Sequence, residues 1–217
     1  MKKGDFIWGS LLSVFILILA IPSSRVTFIT FTSNMPLIGG FLKFFVLATM
    51  GELLTIRITT KDWSIPNGII YRSIIWGFLG VVITIIFNIY AVGITVAMDN
   101  GLLPGAGSTL AFAFLTSAIM NLTFAPTFMA FHRVTDTIID NKYEKPGEKI
   151  NLKEVVTKID WYGFISFVVG KTIPFFWIPA HTMTFLLPGE YRVVAAAFLS
   201  IALGAILAFS KKKKATV

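Results

Sequence analysis

The chain has no cysteine, only two histidines and few charges: Asp, Glu, Lys and Arg make up 14% of its 217 residues. The missing thiols exclude disulfides, thiolate nucleophiles and sulfur-ligated metals. His132 and His181 lie far apart in sequence, so no zinc-type pair forms. No phosphate loop or nucleophile motif is present. The sequence therefore reads as a non-enzyme, with no catalytic residues, no metal and no cofactor. Soluble domains carry about 25% charged residues. With 55% hydrophobic residues and a mean hydropathy of +0.79, the scarcity of charge excludes a soluble globular domain.

What is present is apolar sequence in long blocks. Six segments stand out: Phe6–Ile21, Pro36–Arg57, Ile69–Met98, Ala106–Phe131, Trp161–Leu187 and Tyr191–Ser210. As a helix the second would be about 33 Å long at ~1.5 Å per residue, matching a hydrocarbon core of ~30 Å. Turn residues mark the breaks: Ile21-Pro22-Ser23-Ser24, Asn100-Gly101 with Pro104-Gly105, and Leu187-Pro188-Gly189-Glu190. Val26 to Phe31 reads as a strand-like stretch. The expected fold is an all-α membrane protein, a bundle of about six transmembrane helices, some broken by proline.

The net charge of +8 points to membrane orientation, not to nucleic acid. With Met1 cytoplasmic and six spans, Lys2, Lys3, Arg57, Lys61, Arg72, Arg133, Lys142, Lys145, Lys149, Lys153, Lys158 and Lys211 to Lys214 all fall inside. Arg25 and Arg192 fall outside, and Lys43 and Lys171 within spans. This is the positive-inside pattern, and it places both termini in the cytoplasm. Lys2-Lys3 before an apolar run also fits a secretory signal, but keeping the segment as a span preserves the charge alternation.

The chain divides into an extra N-terminal span with its outer loop (1–35), a transmembrane bundle (36–210) and a basic cytoplasmic tail (211–217). A cytoplasmic connector (132–160) carries six basic and six acidic residues. Within it Asn151 and Glu154 resemble a capping box opening a helix over Leu152 to Ile159.

Ionisable groups inside spans are candidate functional residues. Glu52 faces the protein interior; Lys43, nine positions earlier and half a turn around the helix, is read as snorkelling to the headgroups. Lys171 lies about 15 Å into the fifth span. It is either a cationic site on a solute path or half of a buried ion pair with Glu52. At α-helical spacing Ser166, Gly170, Pro174, Trp177, His181 and Thr184 share a face. Pro174 and Pro179 free backbone carbonyls, which a membrane tolerates only beside other helices or a watery cavity. This face is the expected solute path. His181 reads as a pH or solute group, or as an interface histidine held by a hydrogen bond, the second being favoured. Asn88 in the third span and Asn121 in the fourth (aligned with Thr109, Ala113 and Ser117) are candidate pore-lining amides or, preferably, inter-helix glue. In the sixth span Ala196, Ser200, Gly204 and Ala208 make a small-residue packing seam.

The segment Trp177-Ile-Pro-Ala-His-Thr-Met-Thr-Phe185-Leu-Leu-Pro188-Gly-Glu-Tyr191-Arg192 resembles the C-terminal signature of the Mpv-seventeen/peroxisomal membrane protein family. Met35-Pro36 with Gly51-Glu52, Phe124-Ala125-Pro126-Thr127-Phe128, and Arg72 with Gly77 and Gly80 are similar to its other elements. The resemblance covers about residues 35–210. Departures occur at Met120-Asn121, His181, Thr184 and Phe87-Asn88-Ile89-Tyr90, and the N-terminal span is atypical of a family drawn with four. The resemblance implies a channel-like role, with Glu52 and the Trp177–Arg192 region as matched positions.

Together these readings give an oligomeric pore of low selectivity for small hydrophilic solutes, a homo-oligomer in the lipid bilayer with no nucleic-acid partner. In it Lys171 and His181 set the charge of the path and Glu52 pairs or gates. The alternatives are a proton-coupled secondary transporter, in which Glu52 and His181 titrate, and a non-transporting scaffold or assembly factor. Lacking organelle signals and rich in Lys, Ile and Phe, the chain fits a bacterial cytoplasmic membrane.

Overall fold

The computed structural model describes residues 2–214, with side chains described as far as Ile206. Among these residues there is no strand. The helices in chain order are α1 (Lys3–Ala20), α2 (Pro22–Asn34), α3 (Pro36–Thr60), α4 (Ile69–Asp99), α5 (Thr109–Thr123), α6 (Ala125–Glu144), α7 (Leu152–Lys158) and α8 (Trp161–Gly163). A π-helix (Phe164–Trp177), α9 (Ile178–Leu186) and α10 (Gly189–Lys214) follow. Five helical stretches are long and apolar enough to cross a membrane, or up to six if α5 and α6, bent by 47°, count as one. The all-helical expectation holds.

Proline sets the boundaries. Pro22 and Pro36 open α2 and α3, where their missing N–H is one of the unpaired groups of a first turn and their fixed φ suits a helix. Ile21, before Pro22, is extended, as the residue ahead of a proline prefers. Val26 to Phe31 is helical and not strand-like: Pro22 starts the helix, and Thr27 Oγ1 donates to the Ser23 carbonyl at 3.2 Å. Pro126 stands in the first turn of α6, where it withholds a donor from the Leu122 carbonyl and bends the fourth apolar segment. That segment is therefore two helices, and α6 runs on to Glu144 through what the sequence suggests is irregular connector. Asn151 caps α7, its Oδ1 accepting from Lys153 N at 3.0 Å, but Glu154 pairs with Lys145 at 2.6 Å and does not close a capping box.

The chain forms two compact units. The first comprises Met1–Pro66, Trp76–Thr84 and Val193–Val217. Its core holds Phe44, Leu47, Ala48, Met50 and Leu79, with Val194, Ala196 and Ala197 of α10. Glycines let the backbones approach. A Cβ on Gly80 would stand 2.4 Å from the Gly40 carbonyl, and one on Gly204 would stand 2.9 Å from the Gly51 carbonyl. Close approach of this kind is how helices pack where lipid removes the hydrophobic drive. Ala208 of the expected seam lies outside the described residues. At the N-terminus Trp8 Nε1 donates to the Met50 carbonyl at 2.9 Å, and Asp5 binds Arg57 Nε at 2.7 Å and Trp63 Nε1 at 2.8 Å.

The second unit comprises Asn67–Ile75 and Ile85–Arg192. Its core gathers Phe87, Ile94 and Met98 of α4, Ala113 and Met120 of α5, Phe164 and Ile173 of the π-helix and Phe185 of α9.

Candidate functional site

Most of the polar groups buried on α5 lie in the second unit's core on one stripe. Ser117 and Asn121, four residues apart, are both buried, as is Thr116 beside them. The helix starts cleanly: Ser108 Oγ accepts from the Ala111 N–H at 3.2 Å, the usual N-cap bond.

Opposite this stripe lies α9. Ser117 Oγ donates to the Ile178 carbonyl at 2.7 Å, and Thr182 Oγ1 donates to the same carbonyl at 2.7 Å. Asn121 Nδ2 donates to the Ser117 carbonyl at 2.8 Å and lies 3.0 Å from His181 Nδ1. Asn121 Oδ1 lies 3.2 Å from the same nitrogen. The amide can therefore serve either imidazole tautomer, donating to a bare Nδ1 or accepting from an Nδ1–H.

Aromatic rings close around the imidazole. Trp177 stacks on it at 5.0 Å between centroids, and Phe87 meets it edge-on at 5.4 Å. Phe87 leans on Phe185 at 5.0 Å, and the Arg192 guanidinium lies over Phe185 at 5.4 Å and Phe112 at 5.6 Å. Arg192 is held there by donating Nε–H to the Leu187 carbonyl at 3.0 Å. The Trp177 Nε1 is buried with no hydrogen-bond partner. The result is a hydrogen-bonding histidine in an aromatic box, with a free indole donor beside it.

The π-helix leads into this box. Over Phe164–Trp177 the backbone winds as a π-helix, with Ile178 N donating to the Ile173 carbonyl five residues back, and the Thr172 side-chain hydroxyl also donates five residues back, to the Phe167 carbonyl at 3.2 Å. π-Geometry is rare and mostly confined to single turns; here it spans 14 residues around Pro174. The wider turn breaks the face derived from α-helical spacing. Ser166, Gly170 and Lys171 are exposed, Pro174 and Trp177 are half-buried, and Thr172 and Ile173 fill the interior instead.

The structure thus brings together Asn121, His181 and Trp177, with Ser117 and Phe87. Thr184 is buried on α9 and donates to the Ala180 carbonyl at 3.0 Å. Asn88 is exposed. Lys171 is exposed and so is not half of a buried pair. Glu52 belongs to the first unit, where it accepts from Trp76 Nε1 at 3.4 Å.

Two groupings go beyond the sequence reading. Arg72 is buried, donating from Nη1 to Asp136 at 3.0 Å, from Nη2 to Asp140 and from Nε to the Asn67 carbonyl at 3.3 Å. His132 Nδ1 lies 3.4 Å from Asp136. The four-residue spacing of His132, Asp136 and Asp140 is the signal that could have found it. Lys43 does not snorkel; it is 3% exposed, with its ammonium 4.9 Å from the Phe28 ring centroid. The sequence hides this because the covering helix, α2, looks like a loop.

No protein-family model, curated protein or solved structure matches the chain.

Proposed function

We propose that the chain is an integral membrane pore of low selectivity for small hydrophilic solutes. It would cross the bilayer six times with both termini cytoplasmic, α5 and the first turns of α6 forming one bent crossing and α2 lying at the outer surface. The carrying observation is the π-helix around Pro174 that ends on the Trp177–His181–Asn121 group. At membrane depth, displaced backbone bonds are tolerated only against protein or water, and such geometry clusters at functional sites. The lysine and arginine distribution supports the topology. The resemblance to the Mpv-seventeen/peroxisomal membrane protein family, some of whose members behave as weakly selective channels, supports the role, and membership of that family is part of the proposal.

Lys171 is exposed on the single chain. It lines a path only if copies assemble around it, so the proposal includes a homo-oligomer in which Lys171 faces the shared pore. His181, Asn121 and Ser117 then supply hydrogen-bonding groups, and Glu52 is a gating partner. A bacterial cytoplasmic membrane is the proposed setting.

The test is current through planar bilayers holding the purified protein. Discrete steps are expected, with an anion preference that weakens or reverses in Lys171→Glu. Steps unchanged in that variant remove Lys171 from the path. Silence from protein shown to be folded overturns the pore. Uptake that saturates and follows a pH gradient would instead establish the proton-coupled transporter.

A further inference from the structure

The connector ahead of the fifth apolar segment turns a small apolar edge outward. On α7 Val155 is buried, as is Ile159 just past its end, while Leu152 and Val156 are 66% and 40% exposed. Four residues apart, Leu152 and Val156 stand on one face of the helix, and exposed Ile150 leads into it. The other side of α7 is fastened to α6 and its end. Lys158 Nζ donates to Asn141 Oδ1 at 2.9 Å and pairs with Glu144, and Lys145 binds Glu154 at 2.6 Å.

Charge is arranged to match. Asp136 and Asp140 are engaged by Arg72, Glu144 by Lys158 and Glu154 by Lys145, while Asp160 accepts from the Gly163 N–H at 2.8 Å. Lys149 and Lys153 lie on either side of Ile150 and Leu152, exposed and with no ion pair among the described residues. Glu148 is the one acid of the connector left beside them.

The membrane reading has Trp161 opening the fifth crossing at the inner surface, three residues after α7 ends. Its Nε1 donates back to the Val156 carbonyl at 2.9 Å, and Tyr162 beside it is 85% exposed. Tryptophan and tyrosine favour the boundary between hydrocarbon and headgroups. The Trp161 bond then holds the apolar edge at that boundary, where Leu152 and Val156 meet acyl chains and the lysines reach phosphates. Two aliphatic side chains bury too little area to hold a free peptide on a membrane. Tethered to a crossing, α7 seats intramolecularly, and that area suffices.

We infer that residues 149–156 form an interfacial anchor whose partner is the anionic phospholipid surface of the inner leaflet. The inference rests on the membrane reading and is independent of the pore.

The chain's lack of cysteine allows single spin labels on the full protein. Leu152→Cys, Val156→Cys, Thr157→Cys and Ile89→Cys are labelled in vesicles of dioleoylphosphatidylcholine, with or without an equal part of dioleoylphosphatidylglycerol. Thr157 is exposed, a quarter turn beyond Val156, and exposed Ile89 of α4 reports on the membrane reading itself. Paramagnetic resonance compares collisions with oxygen, which concentrates in lipid, against a water-soluble nickel chelate. With phosphatidylglycerol, the oxygen-to-nickel ratio at Leu152 and Val156 should be severalfold that at Thr157. It should fall about twofold or more in phosphatidylcholine alone, and equally when Lys149→Gln and Lys153→Gln are combined. Ratios at Leu152 and Val156 no higher than at Thr157, with Ile89 in lipid, overturn the anchor and leave the membrane reading standing. Ile89 in water overturns both. Few collisions with either reagent at Leu152 and Val156 would mean that protein covers the edge, which refutes a lipid partner. Lipid burial that ignores phosphatidylglycerol and both lysines refutes the anionic surface.

Discussion

Asn121 and His181 lie 60 residues apart in sequence and share a bond of 3.0 Å in the core of the second unit. The amide is the anchor of this pair. Asn121 is 1% exposed and also donates to the Ser117 carbonyl, so its orientation is fixed before it meets the imidazole.

Replacing Asn121 by Leu keeps the volume and removes the partner. The His181 Nδ1 is then buried without its amide, at a cost of about 1–3 kcal/mol. Interhelical bonds in membrane bundles average about 0.6 kcal/mol and reach about 1.7, because the unfolded chain in lipid also finds partners. A double-mutant cycle of Asn121→Leu with His181→Phe should therefore give a coupling near 1 kcal/mol by reversible unfolding in mixed micelles. His181→Phe alone should cost less than Asn121→Leu, since it keeps the stacking on Trp177. A coupling of zero would show that the bond does not hold α9 against α5.

Arg72 should be the costliest side chain to remove near the connector. Its guanidinium serves Asp136 and Asp140 of α6 and the Asn67 carbonyl at once. Breaking a buried pair by removing one partner costs about 3–5 kcal/mol. The Asp140 side chain is half exposed and rehydrates, so Arg72→Met is expected just below that range, at about 2–3 kcal/mol. Arg72→Lys should recover little, because a single ammonium cannot reproduce the fork. Thermal unfolding of the two variants checks this; a lysine variant as stable as wild type would refute the fork argument.

The long apolar blocks and the proline boundaries were legible because long apolar helices announce themselves by length and composition. The facing of the fifth segment was not. Its residues are in the sequence, but their facing assumed 3.6 residues per turn, and the π-helix turns Thr172 and Ile173 inward where Ser166 and Gly170 were expected. Lys43 was misplaced for a related reason: Val26 to Phe31 looked like outer loop, so nothing seemed available to cover it. On α5, a regular helix, the four-residue spacing holds, and Ala113, Ser117 and Asn121 are all buried, though Thr109 is exposed. The partner of Asn121 depended on which turn of the fifth segment met it, which is set by tertiary packing alone.

Glycines in the first unit should divide sharply. A Cβ at Gly80 would lie 2.4 Å from the Gly40 carbonyl and 2.7 Å from Phe44 Cβ, so Gly80→Ala must push two helix backbones apart. Overpacking of this kind costs about 1–3 kcal/mol, more than Ala returns by its better helix propensity of up to about 1 kcal/mol. Gly39→Ala, with nothing nearer than 3.6 Å, keeps that gain and should raise the melting temperature. Melting curves of the two variants moving the same way would contradict the close approach of α3 and α4.

The N-terminus should loosen in acid. Asp62, in the turn after α3, accepts from Lys2 Nζ at 2.7 Å and from the Trp63 N–H at 2.7 Å. The Lys2 bond first, then the Trp63 N–H and the charge of Lys2, hold its carboxyl below the ordinary carboxylate value. A depressed carboxylate contributes stability that is complete above its unfolded pKa of about 3.9 and lost as pH falls through the lower folded value. Both side chains are well exposed, so salt weakens the pair too. Amide exchange at residues 3–5 should quicken between pH 5 and pH 2, relative to the interior of α3 and after correction for intrinsic rates. In Asp62→Asn the exchange should already be faster at pH 6 and lose most of this pH dependence. What dependence survives belongs to Asp5, whose carboxylate accepts from the Lys2 backbone N–H at 2.7 Å. Exchange in Asp62→Asn that tracks the wild type across the range would show that Lys2 is held by Asp5 alone.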